Sequence, residues 1–241
     1  MGFILEKDMT TDIKKNLFAI AQAVGFCDQK QKLIYACEVP VYYRMIDLTM
    51  ATYCTEYNEF EEHQHYTKII RNLSSKCFDI LVLIGLKGRA SINLLQRELL
   101  VDKEQLKNCL EKLCSTGLIQ KISNYSYKIC EWEVFIPKSL LAIELKLSKW
   151  QEALEQGIYN QKFAEYSFVV LDEEKIHMNH KIEEYYKSSN VGLIYLHSDG
   201  NMKIKVMPKK NKKIDKYANE FYKLKILKDF IVNEKKWKEI K

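Results

Sequence analysis

Residues 141–147 read Leu-Ala-Ile-Glu-Leu-Lys-Leu. Laid out as a strand, this run puts Ile143, Leu145 and Leu147 on one face and Ala142, Glu144 and Lys146 on the other. An acid and a lysine thus sit two residues apart on one face of a very apolar strand, where burial is costly without a partner or a metal. Asp47 repeats the pattern as the lone charge in Ile46-Asp47-Leu48-Thr49-Met50-Ala51. If the two strands are neighbours, Asp47 and Glu144 converge. Two carboxylates, a backbone carbonyl and waters are the oxygen ligands that Mg²⁺ (or Mn²⁺) prefers. Lys146 beside them would orient a water and stabilise its deprotonated form, while the cation neutralises charge developing on a phosphate. The competing reading of Glu144 and Lys146 is a plain ion pair on an edge strand. The residues alone leave both open.

The elements that must carry these groups follow from periodicity. The spacing of Ile13, Leu17, Ile20, Ala21 and Val24 predicts a helix over residues 10–24, capped by Thr10 or Thr11 and ended at Gly25. Two strand-like runs follow, over 31–41 and 43–53; in the second, Ile46, Leu48 and Met50 alternate with Asp47, Thr49 and Ala51. Residues 55–66 hold Glu56, Glu59, Glu61 and Glu62 and read as a connector. After Pro137 come a strand over 140–147, a helix over 148–163 capped by Ser148, a strand over 167–171 and a polar helix over 173–187. A strand over 191–196, an Asp199-Gly200 turn, a strand over 202–207 and a lysine-rich helix from about Lys212 complete the pattern.

Between the two halves lies a differently patterned segment. Residues 69–86 are apolar at helical spacing, 91–99 form a short second helix, and Asp102 with Gln105 opens a third, whose stripe is Leu106, Leu110, Leu113 and Cys114. Gly117 stops it, and short strands over 118–123 and 125–130 meet at Asn124. Ser91-Ile92-Asn93-Leu94-Leu95-Gln96 and Leu110-Glu111-Lys112-Leu113-Cys114-Ser115-Thr116-Gly117-Leu118-Ile119 make this segment resemble winged-helix DNA-binding domains. In that fold the third helix enters the major groove and the hairpin lies on the backbone. The resemblance implies nucleic-acid contacts from Lys103, Lys107, Asn108, Lys112 and Asn124, diluted by Glu104 and Glu111. Winged helices also serve as protein-interaction modules.

Arg44-x-x-Asp47, Ala142-Ile143-Glu144-Leu145-Lys146-Leu147-Ser148-Lys149-Trp150, Ala153-Leu154-Glu155-Gln156-Gly157-x-Tyr159 and Ala164-x-x-Ser167-Phe168-Val169-Val170-Leu171 together resemble the PD-(D/E)XK nuclease superfamily. The resemblance implies an α/β (α+β) fold, a restriction-endonuclease-like mixed sheet flanked by helices, with a winged helix-turn-helix domain inserted. Its parts would be residues 1–60 and 134–207 for the core, 66–131 for the winged helix, and 208–241 for a basic C-terminal helix. It implies catalytic roles for Asp47, Glu144, Lys146 and Gln156, with Asp47 and Glu144 as ligands of Mg²⁺ or Mn²⁺. The implied activity is hydrolysis of nucleic-acid phosphodiesters, DNA being the expected substrate. The chain departs from the pattern in three ways. No proline precedes Asp47, about 97 residues separate Asp47 from Glu144, and the glutamine motif is Gln156-x-x-Tyr159. Asp12 is a candidate further acid from the first helix, and its competing reading is an ordinary helix surface charge.

Composition narrows the remaining classes. Hydrophobic residues make up 47% and charged residues 29% of 241, the balance of a folded globular chain. No run approaches a membrane span, and the first residues do not read as a signal peptide. Seven cysteines without a C-x-x-C pair read as buried thiols of a reducing cytoplasm, neither disulfides nor a zinc site. His63, His65, His177 and His180 read as loop or helix histidines. Residues 203–241 carry 14 lysines against five acids, a charge suited to a phosphate backbone or another acidic partner. Phosphate-loop, dinucleotide-binding and G-x-S-x-G motifs are absent. Three functions stay in play: a metal-dependent nuclease, a non-catalytic winged-helix regulator on a degenerate nuclease-like scaffold, and an interaction protein working through its basic tail. A homodimer would let two sites address two strands.

Overall fold

The computed structural model describes residues 2–27, 31–54, 68–130, 136–176 and 180–233. The element order is α1 (Glu6–Ala23), β1 (Gln31–Val41), β2 (Arg44–Cys54), α2 (Ser75–Lys87), β3 (Arg89–Ser91), α3 (Ile92–Leu99), α4 (Lys103–Ser115), β4 (Ile119–Ser123) and β5 (Ser126–Ile129). It continues with β6 (Leu140–Lys146), α5 (Trp150–Asn160), β7 (Tyr166–Asp172), α6 (His180–Ser188), β8 (Gly192–Leu196), β9 (Met202–Val206) and α7 (Lys216–Val232). The chain divides into two compact units, one from residues within 1–56 and 137–215, the other from residues within 57–136 and 216–232.

The first unit is a mixed α/β structure around a six-stranded sheet of order β1-β2-β6-β7-β8-β9. β1, β2 and β6 are antiparallel, β6, β7 and β8 parallel, and β9 antiparallel again. Parallel neighbours need crossovers; α5 supplies the one from β6 to β7, and α6 lies in the one from β7 to β8. One face of the sheet packs Leu48, Met50, Leu141, Ile143, Leu145, Phe168 and Val170 against Met9, Ile13, Leu17 and Ile20 of α1. The other face packs Val169, Leu171, Leu193 and Tyr195 against Ala153 of α5 and Ile182 and Tyr186 of α6. Burying each such Leu, Ile or Phe stabilises the fold by about 1.5–3 kcal/mol. Because both faces are covered, the expected alternation along β2 does not separate buried from exposed: Thr49 and Ala51 are as buried as Leu48. Gly157 lets α5 lie close to the sheet, since a Cβ there would come within 2.7 Å of the Val191 side chain.

The second unit sets α2, α3 and α4 beside a three-stranded sheet of order β3-β5-β4. Three caps begin its helices. Ser74 Oγ accepts from Cys77 N–H at 3.3 Å, Ser91 Oγ from Leu94 N–H at 3.2 Å, and Asp102 Oδ1 from Gln105 N–H at 2.8 Å. α2 is buried nearly all round, and α7 explains why. Tyr217 donates to Asp79 at 2.6 Å, and Lys228 donates to the Leu73 carbonyl at 2.6 Å.

Several boundaries differ from expectation. α1 begins at Glu6, not at Thr10, because the Asp8 carboxylate takes the Leu5 N–H at 2.9 Å. α5 begins at Trp150 with no side-chain cap, and the Ser148 carbonyl accepts the Trp150 N–H. Residues 173–176, expected as the start of a helix, form a turn, and among the described residues α6 runs over His180–Ser188. The lysine-rich C-terminal helix is no separate solvated element: Ala218, Asn219, Tyr222, Lys223, Leu224, Ile226, Leu227 and Ile231 are buried, and it belongs to the second unit. The connector acids Glu56, Glu59, Glu61 and Glu62, with His63, His65, His177 and residues 234–241, lie outside the described residues. No helix among the described residues is long and apolar enough to cross a membrane.

Candidate active site

The β2–β6 ladder runs from Ala51 opposite Leu140 to Leu48 opposite Ile143. At the next step a side chain takes over from the backbone: Asp47 Oδ2 accepts the Leu145 N–H at 2.7 Å. That contact sets the Asp47 carboxyl beside that of Glu144, close enough for each to shift the other's proton affinity. Glu144 is only 2% exposed. Two adjacent carboxylates in a low-dielectric site cannot both ionise freely. Burial, followed by the neighbouring Asp47 carboxyl, pushes Glu144 up to about 8, against the opposing pull of Asn160 and Lys146. Burial also raises Asp47, opposed by the Leu145 N–H and by Lys146.

Lys146 completes the cluster from the same strand. Its Nζ lies 3.0 Å from Glu6 Oε2, and its side chain is 12% exposed. Burial alone would lower its pKa; Glu6, Asp47 and Glu144 outweigh burial and hold it above the ordinary lysine value. The lysine is therefore charged and fixed in place by an acid from the start of α1. That acid is Glu6. Asp12 makes an ordinary helix pair with Lys15 at 2.7 Å, in line with its reading as a helix surface charge.

α5 forms the wall behind the carboxyls. Asn160 is fully buried, and its Nδ2 donates to Glu144 Oε1 at 2.8 Å. Asn160 Oδ1 and Gln156 Oε1 are both buried without a hydrogen-bond partner. Orphaned buried acceptors are uncommon and mark places for water or a cation with its water shell. Gln156 thus stands on the expected helix, though it bonds to none of the three charged residues. Asn160 was not foreseen; its signal is an amide on the buried stripe Ala153, Gly157, Asn160.

This set suits a hard divalent cation in its chemistry. Asp47 and Glu144 bring two carboxyls together, and the buried amide oxygens of Asn160 and Gln156 have no hydrogen-bond partner. Among the described residues no group of three or more His, Cys, Asp or Glu is placed to hold a metal ion, so Asp47 and Glu144 would be its only carboxylate ligands.

The nucleic-acid candidates of the second unit are all exposed, in a different electrostatic setting. Lys107 pairs with Glu111 at 3.8 Å, and Lys112 donates to the Asn72 carbonyl at 2.6 Å. Asn108 and Lys112 line a cavity of about 480 Å³ together with the carboxylates Asp102 and Glu104. Lys103 stands at the start of α4, and Asn124 in the turn between β4 and β5. Cys27, Cys37, Cys77, Cys109, Cys114 and Cys130 are all free thiols. Cys77 and Cys109 meet at 3.3 Å, and burial with this partner pushes Cys109 up to about 12, the setting of an inert thiol. His180 is 98% exposed.

No protein-family model, no curated protein and no solved structure matches the chain.

Proposed function

We propose that the chain is a metal-dependent nuclease of the PD-(D/E)XK kind that hydrolyses DNA phosphodiesters, with a winged-helix domain inserted in its restriction-endonuclease-like core. One observation carries the reading: Asp47, held by the Leu145 N–H at the end of the β2–β6 ladder, sets its carboxyl beside that of Glu144, with Lys146 on the same strand β6. The order α1, β1, β2, β6, α5, β7 in and around a mixed sheet supports the core assignment. Three capped helices beside a small antiparallel sheet support the winged-helix assignment.

Asp47 and Glu144 would hold Mg²⁺ or Mn²⁺, which when bound supplies Lewis acidity at a phosphate and a water of lowered pKa. The chain's own groups do the positioning. Asn160 fixes the Glu144 carboxyl, and the Leu145 N–H fixes that of Asp47. Lys146, held by Glu6, presents a charged ammonium that orients the attacking water and stabilises its deprotonated form. Gln156 offers its carbonyl oxygen to the nucleophile or substrate.

The test is cutting of supercoiled plasmid and labelled single-stranded DNA with Mg²⁺, Mn²⁺ or EDTA. Cutting with metal, lost in Lys146→Ala while binding and folding persist, is the expected result. Undiminished cutting by that variant would sink the mechanism. The self-contained charge pairing of the site, Lys146 with Glu6 and Asp47 with Glu144, favours a second reading, a winged-helix regulator on a retired core. That reading gains if neither protein cuts and both bind DNA in a salt-sensitive, metal-independent way.

A further inference from the structure

Beside the carboxyl pair lies an exposed cluster of a different kind. Val41 opposite Arg44 closes the β1–β2 hairpin, so Tyr42 and Tyr43 make up a two-residue loop. Such loops favour Asn and Gly because their backbones need positive φ. Tyr42 has φ of +50°, a left-handed conformation that is strained for a residue with a Cβ. Tyr43 is 98% exposed and contributes no packing. The loop thus keeps two tyrosines where folding would prefer other residues.

The tip reaches α5. Tyr42 meets the edge of the Tyr159 ring at 6.1 Å between centroids. Arg44 lies over that ring at 5.1 Å and Lys162 at 4.4 Å. Two cations are therefore gathered on one aromatic side chain, and among the described residues neither enters an ion pair with a carboxylate. Two cations gathered at one ring without a carboxylate partner attract an anion. Tyr159 immediately precedes Asn160, which touches Glu144. Arg44 lies about 10 Å along β2 from Asp47 at the usual rise per residue, about three nucleotides at stacked spacing.

We propose that Tyr42, Tyr43, Arg44, Tyr159 and Lys162 form a clasp for single-stranded DNA leading into the Asp47–Glu144 site. Arg44 and Lys162 take a backbone phosphate, Tyr159 holds the two cations in place, and Tyr43 stacks on an unpaired base. Duplex DNA fits the platform poorly, because its base faces are already stacked and only edges are offered. The choice of DNA as occupant rests on the nuclease reading above.

The experiment is fluorescence anisotropy in EDTA with a labelled oligothymidylate of about 12 nucleotides, within the usual site-size range, against a blunt duplex of equal length. Tyr43→Ala should weaken single-strand binding about 5- to 150-fold, the range for loss of one stacked base, and leave duplex binding and Tm unchanged. Tyr43→Phe should bind as the wild type does. The double variant Arg44→Gln/Lys162→Gln should reduce the log–log salt slope by about 0.7, the share of one phosphate. Single-strand binding by Tyr43→Ala equal to wild type, or equal losses on both DNAs, would overturn the clasp. A parallel cutting assay with Mg²⁺ separates the two ideas. A wild type that binds this way but never cuts overturns the nuclease reading alone. One that cuts, with Tyr43→Ala still binding and cutting single strands normally, overturns the clasp alone.

Discussion

Charge is handled in opposite ways by β6 and α4. On β6, Glu144 is 2% exposed and Lys146 12%, and each is held by a specific partner. On α4, Lys107 is 74% exposed and leans on a neighbour one helical turn away. Desolvation makes the first arrangement expensive to keep and strongly perturbs its proton affinity. Water and salt make the second nearly free of cost and nearly free of consequence. A buried charge on an apolar strand is therefore the stronger sign of function, although lysines on a helix are easier to notice.

The contrast breaks first on one isosteric change. Glu144→Gln keeps the shape of the site and the contact with Asn160, yet is expected to lower metal-dependent cutting by about 10³-fold or more. Wild-type rates from this variant would remove Glu144 from the chemistry.

The same variant should be the more stable protein in alkaline, metal-free solution. Between pH 4.5, the ordinary value for a glutamate, and about 8, the unfolded chain ionises Glu144 while the folded chain keeps it protonated. Stability then falls as pH rises through that window and levels off above it; the raised Asp47 acts in the same direction. In EDTA, Tm curves of wild type and Glu144→Gln should converge near the acid end and separate by about 5 °C at pH 8. Curves that run parallel across the window would refute the assignment.

Asn160→Leu probes the buried wall more gently. It leaves Glu144 Oε1 without its donor, at a cost of about 1–3 kcal/mol measured by urea denaturation. On the exposed helix the effects shrink: Asp102→Ala, losing the cap on Gln105, should cost about 1 kcal/mol, and Lys107→Ala about 0.3 kcal/mol. A loss at Lys107 as large as that at Asn160 would undo the comparison.

What the sequence revealed follows the same logic. Glu144, Lys146 and Asp47 stood out because each interrupts an apolar run, and the structure brings them together. Glu6 did not, because an acid in the first turn of a helix is ordinary, and its role depends on a lysine 140 residues away. β3 has three residues, too few for any period to show. The buried face of α7 was not legible because its many lysines mask the apolar residues Ala218, Tyr222, Leu224, Ile226, Leu227 and Ile231. The tyrosine turn passed unnoticed because Tyr42-Tyr43 carries none of the usual turn residues.

The strand pairing also dictates an order of synthesis. β2 and β6 are neighbours, joined beyond their ladder by Lys138 N–H to the Thr52 carbonyl at 2.9 Å. The whole second unit except α7 is made between them. At about 5–20 residues per second, β2 waits roughly 4–17 seconds on the ribosome for its partner, with one edge bare. α7 is made only after β9, so the core around α2 closes later still. Each unit is finished by a segment translated after part of the other. Excising residues 57–136 would therefore leave α7 with an apolar face and no place to bury it.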